Sequence, residues 1–215
     1  MIFENGDRIV FAGDSVTDMG SDQPVGENHG LGQGYPRMIE NWLAAYYPER
    51  YIRVSNAGIS GNTSRDLLAR FQRDVLDLHP QWISICIGIN DVWRQFDMPS
   101  MPDFWVLPDE YEKNLCAMLE MVPESVKGVF MLSPYIMEPL REDKMRARMD
   151  EYVAISKKVA EKYGCRFVDF QQMYEDYLQI RHSAFIAWDR IHPSEVGSTM
   201  MAREILKQCE FDFTR

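Results

Sequence analysis

With 215 residues, 46% of them hydrophobic and 26% charged, the chain is long enough to bury one substantial core and reads as a single domain over 1–215. A net charge of −10 argues against non-specific nucleic-acid binding, which needs basic patches, and against adsorption to anionic membranes. No run approaches the roughly 20 apolar residues of a membrane-spanning helix.

The first apolar run, Arg8–Ala12, predicts a strand. It stops abruptly at Gly13-Asp14-Ser15, either an ordinary turn or a serine held at a sheet edge. A helix is predicted over Tyr35–Tyr47 and a strand over Tyr51–Ser55, followed by the loop Asn56-Ala57-Gly58-Ile59-Ser60-Gly61-Asn62. Thr63 and Asp66 fit a capping box for a helix over Ser64–Leu78, which His79-Pro80 stops. The third strand is expected over Trp82–Gly88, running into Gly88-Ile89-Asn90-Asp91. Residues 93–108 hold three prolines and read as a long irregular loop, a candidate pocket wall. Then come a helix over Asp109–Val122, a strand over Lys127–Leu132 and a helix over Arg141–Tyr163 closed by Gly164. A strand over Cys165–Asp169, a short helix over Gln171–Leu178 and a helix over Ser194–Gln208 complete the chain. Alternating strands and helices predict an α/β domain: a parallel sheet covered on both faces, in three α/β/α layers.

Ligands of such sheets bind beyond the carboxyl ends of the strands. In a 2-1-3 order the first three post-strand loops would be neighbours. A serine nucleophile needs a base, and the base an orienting group. Of four histidines, His79 lies at the wrong end of the sheet, His29 in a glycine-rich loop and His182 in a polar stretch. His192 stands three residues after Asp189, a spacing at which one tight loop presents both side chains. Oxyanion donors are expected from the N–H groups of Ser15 and Gly58 and from the Asn90 amide. Each of these features alone is as well explained by a turn or a cap.

Taken in order, Gly13-Asp14-Ser15, Asn56-Ala57-Gly58, Gly88-Ile89-Asn90-Asp91 and Asp189-Arg190-Ile191-His192-Pro193 resemble the four blocks of the SGNH hydrolases, the GDSL-type esterases. The resemblance implies Ser15 as nucleophile, His192 as base, Asp189 as its orienter, and Ser15, Gly58 and Asn90 as the oxyanion hole. It implies a five-stranded parallel sheet in the flavodoxin-like order 2-1-3-4-5, and no metal or other cofactor. The leucine of the GDSL name is replaced by Val16, at a position that varies within the family. Gly58–Thr63, Ile87–Gln95 and Ala187–Arg190 further resemble an intracellular group of bacterial acetylxylan esterases. That implies removal of acetyl groups from xylo-oligosaccharides, a small-molecule partner. In the residues themselves, Trp93, Trp105 and Trp188 flank the site loops, to pack a sugar ring or close a small acyl pocket, and Arg94 would bond sugar hydroxyls; Asp14 and Asn62 would support the loops.

Three other readings compete. Asp14, Asp18, Asn90, Asp91, Asp189 and His192 could converge on a divalent cation. The same architecture could serve a non-catalytic flavodoxin-like or carbohydrate-binding module, although Asp14 and Asp18 put negative charge where a flavin phosphate would sit. Within esterases, a lysophospholipase or thioesterase with a longer acyl pocket is the alternative; no amphipathic interfacial lid is visible in 93–108. Cys86, Cys116, Cys165 and Cys209 lack CxxC spacing, and the N-terminus lacks a secretory pattern, so a cytoplasmic location is expected. The many methionines, with Trp42 and Trp105, leave self-association open.

Overall fold

The computed structural model describes all 215 residues. Its strands are Arg8–Gly13 (β1), Gly26–Glu27 (β2), Arg53–Gly58 (β3), Trp82–Cys86 (β4), Gly128–Leu132 (β5) and Arg166–Val168 (β6). They form one sheet in the order β2-β3-β1-β4-β5-β6. The five predicted strands are parallel and stand in the expected 2-1-3-4-5 order. The sixth, β2, is two residues long and joins the β3 edge antiparallel. A pair that short carries no alternation a sequence could show.

The helices are Ser15–Asp18 (α1), Tyr35–Tyr46 (α2), Ser64–Asp74 (α3), Ile89–Asp97 (α4), Pro108–Glu120 (α5), Lys144–Tyr163 (α6), Phe170–Leu178 (α7) and Glu195–Gln208 (α8). The helix α2 packs against α8, while α3, α5, α6 and α4 pack in series, giving the two outer layers. Every residue of β4 is buried, as a strand covered on both faces must be.

Several boundaries differ from expectation: β3 starts at Arg53 and runs on through Asn56-Ala57-Gly58, α3 ends at Asp74 and α6 starts at Lys144. The strand expected to reach Gly88 ends at Cys86, and α4 begins at Ile89. Ile87-Gly88-Ile89 prolonged the apolar run, but Gly88 takes φ +134° and breaks it there. The helix α4 therefore takes in Trp93–Asp97, which had read as loop. Trp42 packs against Tyr46, Phe211 and Phe213 within its own chain, and Trp105 Nε1 donates to Met98 O at 3.0 Å. Both indoles are thus occupied inside the fold. No helix is long and apolar enough to cross a membrane.

The register decides what meets at the carboxyl edge. Gly13 lies opposite Gly58 on one side and Cys86 on the other. The loops after β1, β3 and β4 therefore open beside one another.

Candidate active site

Ser15 begins α1, a single helical turn capped by Asp14, whose Oδ1 accepts from Val16 N at 3.0 Å. The next amides, of Thr17 and Asp18, donate to Asp14 O. The Ser15 N–H is left without a protein partner at the positive end of this turn.

The base comes from the segment before α8. Ala187 bridges Pro193, Ser194 N donates to Ile186 O, and Met137 N donates to Arg190 O, which together hold a tight loop. Arg190 takes φ +69° at its apex and pairs with Glu138. Asp189 Oδ1 accepts from the backbone N–H of Ile191 and His192, at 3.0 and 2.8 Å. Its Oδ2 lies 2.7 Å from His192 Nδ1. His192 Nε2 lies 2.8 Å from Ser15 Oγ. With the proton on Nδ1, Nε2 is the acceptor of the serine hydroxyl. Burial pushes the Asp189 carboxyl up, but the backbone amides and the imidazole outweigh it and leave it below the usual carboxylate range. Asp189 is therefore the fixed negative partner that selects this tautomer.

Asn90 stands in the first turn of α4 and is buried. Its Nδ2 donates to Asn62 O at 3.0 Å, and its Oδ1 accepts from Arg94 Nη2 at 3.1 Å. One amide hydrogen remains to be given. Arg94 was expected to reach sugar hydroxyls. Its guanidinium holds the Asn90 amide, pairs with Asp97 and lies over Trp93.

The expected Gly58 donor needs correcting. Its N–H is given to Asn56 Oδ1 at 2.9 Å, inside the protein. Glycine is required there for another reason: a Cβ would lie 2.3 Å from Asp18 N and 2.8 Å from Thr17 C, so α1 can pack on β3 only without one. The same loop offers Gly61 instead. Its N–H has no protein partner, its φ is +82°, and it precedes Asn62, whose carbonyl receives Asn90. Sequence reasoning missed it because the loop holds two glycines of equal outward appearance. The Gly-Asn step before the Thr63 cap, where a positive φ turns the chain into α3, was the available signal.

The carboxylates proposed as cation ligands are spent elsewhere. Asp18 accepts from Ser21 and Gln23 through Oδ1 and from Ser60 through Oδ2. Asp91 accepts the N–H and hydroxyl of Ser64 at the start of α3. Asp14 and Asp91 are both fully buried, and burial pushes each carboxyl from 3.8 to about 7. The folded chain then keeps protons that the unfolded chain releases above about pH 4. Their stabilising contribution is complete below that pH and is lost as pH rises through about 7. The melting temperature should therefore be higher at pH 5.5 than at pH 8, and Asp14→Asn with Asp91→Asn should flatten that slope. A melting temperature that rises across the interval would contradict this.

Two aromatic rings frame the imidazole. Trp188 stacks on His192 with centroids 5.4 Å apart and planes 4° apart, and Trp93 meets it edge-on at 6.2 Å. Trp188 is two-thirds exposed.

A three-layer fold with an Asp-His-Ser chain on the carboxyl edge of its sheet defines a serine-type acyl hydrolase. The comparisons agree: residues 11–200 match the GDSL-like Lipase/Acylhydrolase family, and the chain belongs to it. It is a carboxylic ester hydrolase. The acetylxylan esterase of Geobacillus stearothermophilus is 43% identical over 213 residues, covering 98% of this chain and 97% of that one. A crystal structure of that enzyme in a catalytic mutant form superposes with a TM-score of 0.97 at 42% identity, covering 100% and 99% of the two chains. An alpha/beta hydrolase from the metagenome of Lake Arreo, Spain, is 47% identical with a TM-score of 0.93, covering 96% of each. Catalytic mutants of the Geobacillus enzyme replace a serine, a histidine and an aspartate.

Proposed function

We propose that the chain removes acetyl groups from acetylated carbohydrates, xylo-oligosaccharides first among them, with Ser15 as nucleophile. The observation that carries the reading is the unbroken hydrogen-bonded chain from Asp189 through His192 to Ser15. The full-length likeness to an acetylxylan esterase supports the acetylated-sugar substrate.

His192 takes the Ser15 proton as Oγ attacks the acetyl carbonyl, and Asp189 stabilises the imidazolium that forms. The oxyanion receives the N–H groups of Ser15 and Gly61 and the remaining amide hydrogen of Asn90. His192 then gives its proton to the departing sugar oxygen. Water, deprotonated by His192, attacks the acetyl-enzyme and frees acetate. Asp14 braces the nucleophile turn by holding Val16 N–H. Trp188 and Trp93 offer apolar faces beside the base for a sugar ring.

Ser15 lies outside the linings of the cavities of about 630 and 390 Å³, although the second reaches Ala187, Trp188 and Arg190 of the loop that carries His192. A long-chain lysophospholipid or thioester would need an apolar channel leading to Ser15. The test is hydrolysis of p-nitrophenyl acetate against the octanoate, beside acetate release from acetylated xylo-oligosaccharides, acetylated amino sugars and lysophospholipid. Acetate esters of sugars should be cleaved, and p-nitrophenyl acetate should turn over far faster than the octanoate. Equal rates on the two chain lengths would overturn the short-acyl assignment. A cytoplasmic site of action fits the four free cysteines, two of them buried.

A further inference from the structure

The carboxyl ends of β1 and β3 and the loop carrying Gly61 converge on one side chain that no step of the reaction uses. Arg70 stands on α3 with 8% of its surface exposed. Its Nη2 donates to Gly13 O at 2.9 Å and its Nη1 to Ala57 O at 2.8 Å. Its Nε donates to Asn62 Oδ1 at 2.7 Å, and Nη1 also reaches Asp74 Oδ2 at 3.4 Å. Gly13 lies two residues before Ser15. Ala57 and Asn62 bracket the turn that contains Gly61. The Asn62 carbonyl in turn receives Asn90 Nδ2 at 3.0 Å.

We propose that Arg70 is a positioning residue that sets the spacing of the oxyanion donors, by fastening to one guanidinium the two chain segments that carry Ser15 and Gly61, the second of which receives Asn90 through the Asn62 carbonyl. The inference rests on the reading of Ser15, Gly61 and Asn90 as those donors. Taking a guanidinium out of water is unfavourable, and neutral donors could satisfy two strand-end carbonyls with less desolvation. What a neutral donor lacks is a rigid planar fork serving acceptors in several directions at once. Rate is the quantity sensitive to that rigidity: a misplacement of about 1 Å can cost about 10²-fold. A substrate's ground state, which the oxyanion donors do not hold, should hardly notice the change. Lysine at this position keeps the charge but can reach only part of the acceptor set.

The experiment compares Arg70→Lys, Arg70→Met and Asn62→Ala in the full chain, each checked for a cooperative melt. It reads kcat and KM on p-nitrophenyl acetate, and inhibition by an alkyl trifluoromethyl ketone, whose hemiketal oxygen mimics the oxyanion. Arg70→Lys is expected to lower kcat by about 10- to 100-fold with KM within twofold, and to weaken the ketone by a similar factor. Asn62→Ala, which removes only the Nε partner on a surface loop, should lower kcat several-fold. Combined with Asn90→Ala, the Arg70→Lys loss should be less than additive, because the two changes damage one donor set. Folded Arg70 variants that keep kcat within twofold while Asn90→Ala is costly would overturn this proposal alone. A rise in KM at constant kcat, or full additivity with Asn90→Ala, would reduce Arg70 to a structural cation. If both Arg70 variants fail to fold, Asn62→Ala decides, and unchanged kcat there overturns the proposal. Were Asn90→Ala itself without effect on kcat, the oxyanion reading would fall, independently of Arg70.

Discussion

Replacing Ser15 by alanine should lower kcat by about 10⁶-fold and leave the melting temperature within a few degrees of the parent. The size follows from the loss of the only group placed to form the acyl intermediate, and nucleophile deletions in serine hydrolases of other folds cost about this much. The fold should not notice. Ser15 Oγ makes a single side-chain bond, to His192, and the local turn is held by Asp14. Its N–H, the proposed oxyanion donor, survives the substitution. The checks are steady-state hydrolysis of p-nitrophenyl acetate and a thermal melt on the same preparation. A loss below tenfold would mean that another group attacks the ester.

Asp189→Asn should cost about 10⁴-fold in kcat with little change in KM, the loss seen for the corresponding change in other Ser-His-Asp enzymes. Asparagine fits the loop, since its Oδ1 can still accept from Ile191 N and His192 N. Its Nδ2, however, would face His192 Nδ1 as a donor. That pairing favours the tautomer with the proton on Nε2, which cannot accept from Ser15. The loss therefore separates an orienting carboxylate from one that merely caps the loop, because the asparagine side chain would cap equally well. Activity within tenfold of the parent would assign Asp189 to the loop alone.

The sheet was legible because strands buried on both faces must be nearly continuous apolar runs, and each was bounded by glycine or polar residues. Its order placed three loops together, and Gly13 opposite Gly58 and Cys86 bears that out. Short elements escaped. The four residues of α1 and the two of β2 are too few to show a period. The start of α4 was hidden by Ile87 and Ile89, whose apolar character suits a strand or a buried helix equally.

In the site, the grouping of Ser15, Asp189 and His192 within hydrogen-bond reach was legible because each occupies a loop at the working edge and the spacing of the last two is local. Gly58 against Gly61 was not, because a glycine's sequence position does not tell whether it is needed for a close approach or for a free amide. Arg70 was passed over for a related reason. A long side chain on a helix reads as surface until its acceptors are known. The acceptors of Arg70 lie 8, 13 and 57 residues away. Asp14, ambiguous in the sequence, is bonded to Val16 N and buried, which accounts for its place as the brace of the turn.

The central claim is that acyl transfer passes through a covalent bond to Ser15 Oγ. Treatment with a fluorophosphonate, followed by intact mass and peptide mapping, tests it most directly. Displacement of fluoride should leave one phosphonyl group per chain, on the peptide containing Ser15, with activity lost in proportion to labelling. No adduct should form on Ser15→Ala, and Asp189→Asn should react far more slowly. Full activity in a chain labelled at Ser15, or inactivation with the adduct on another residue, would contradict the account.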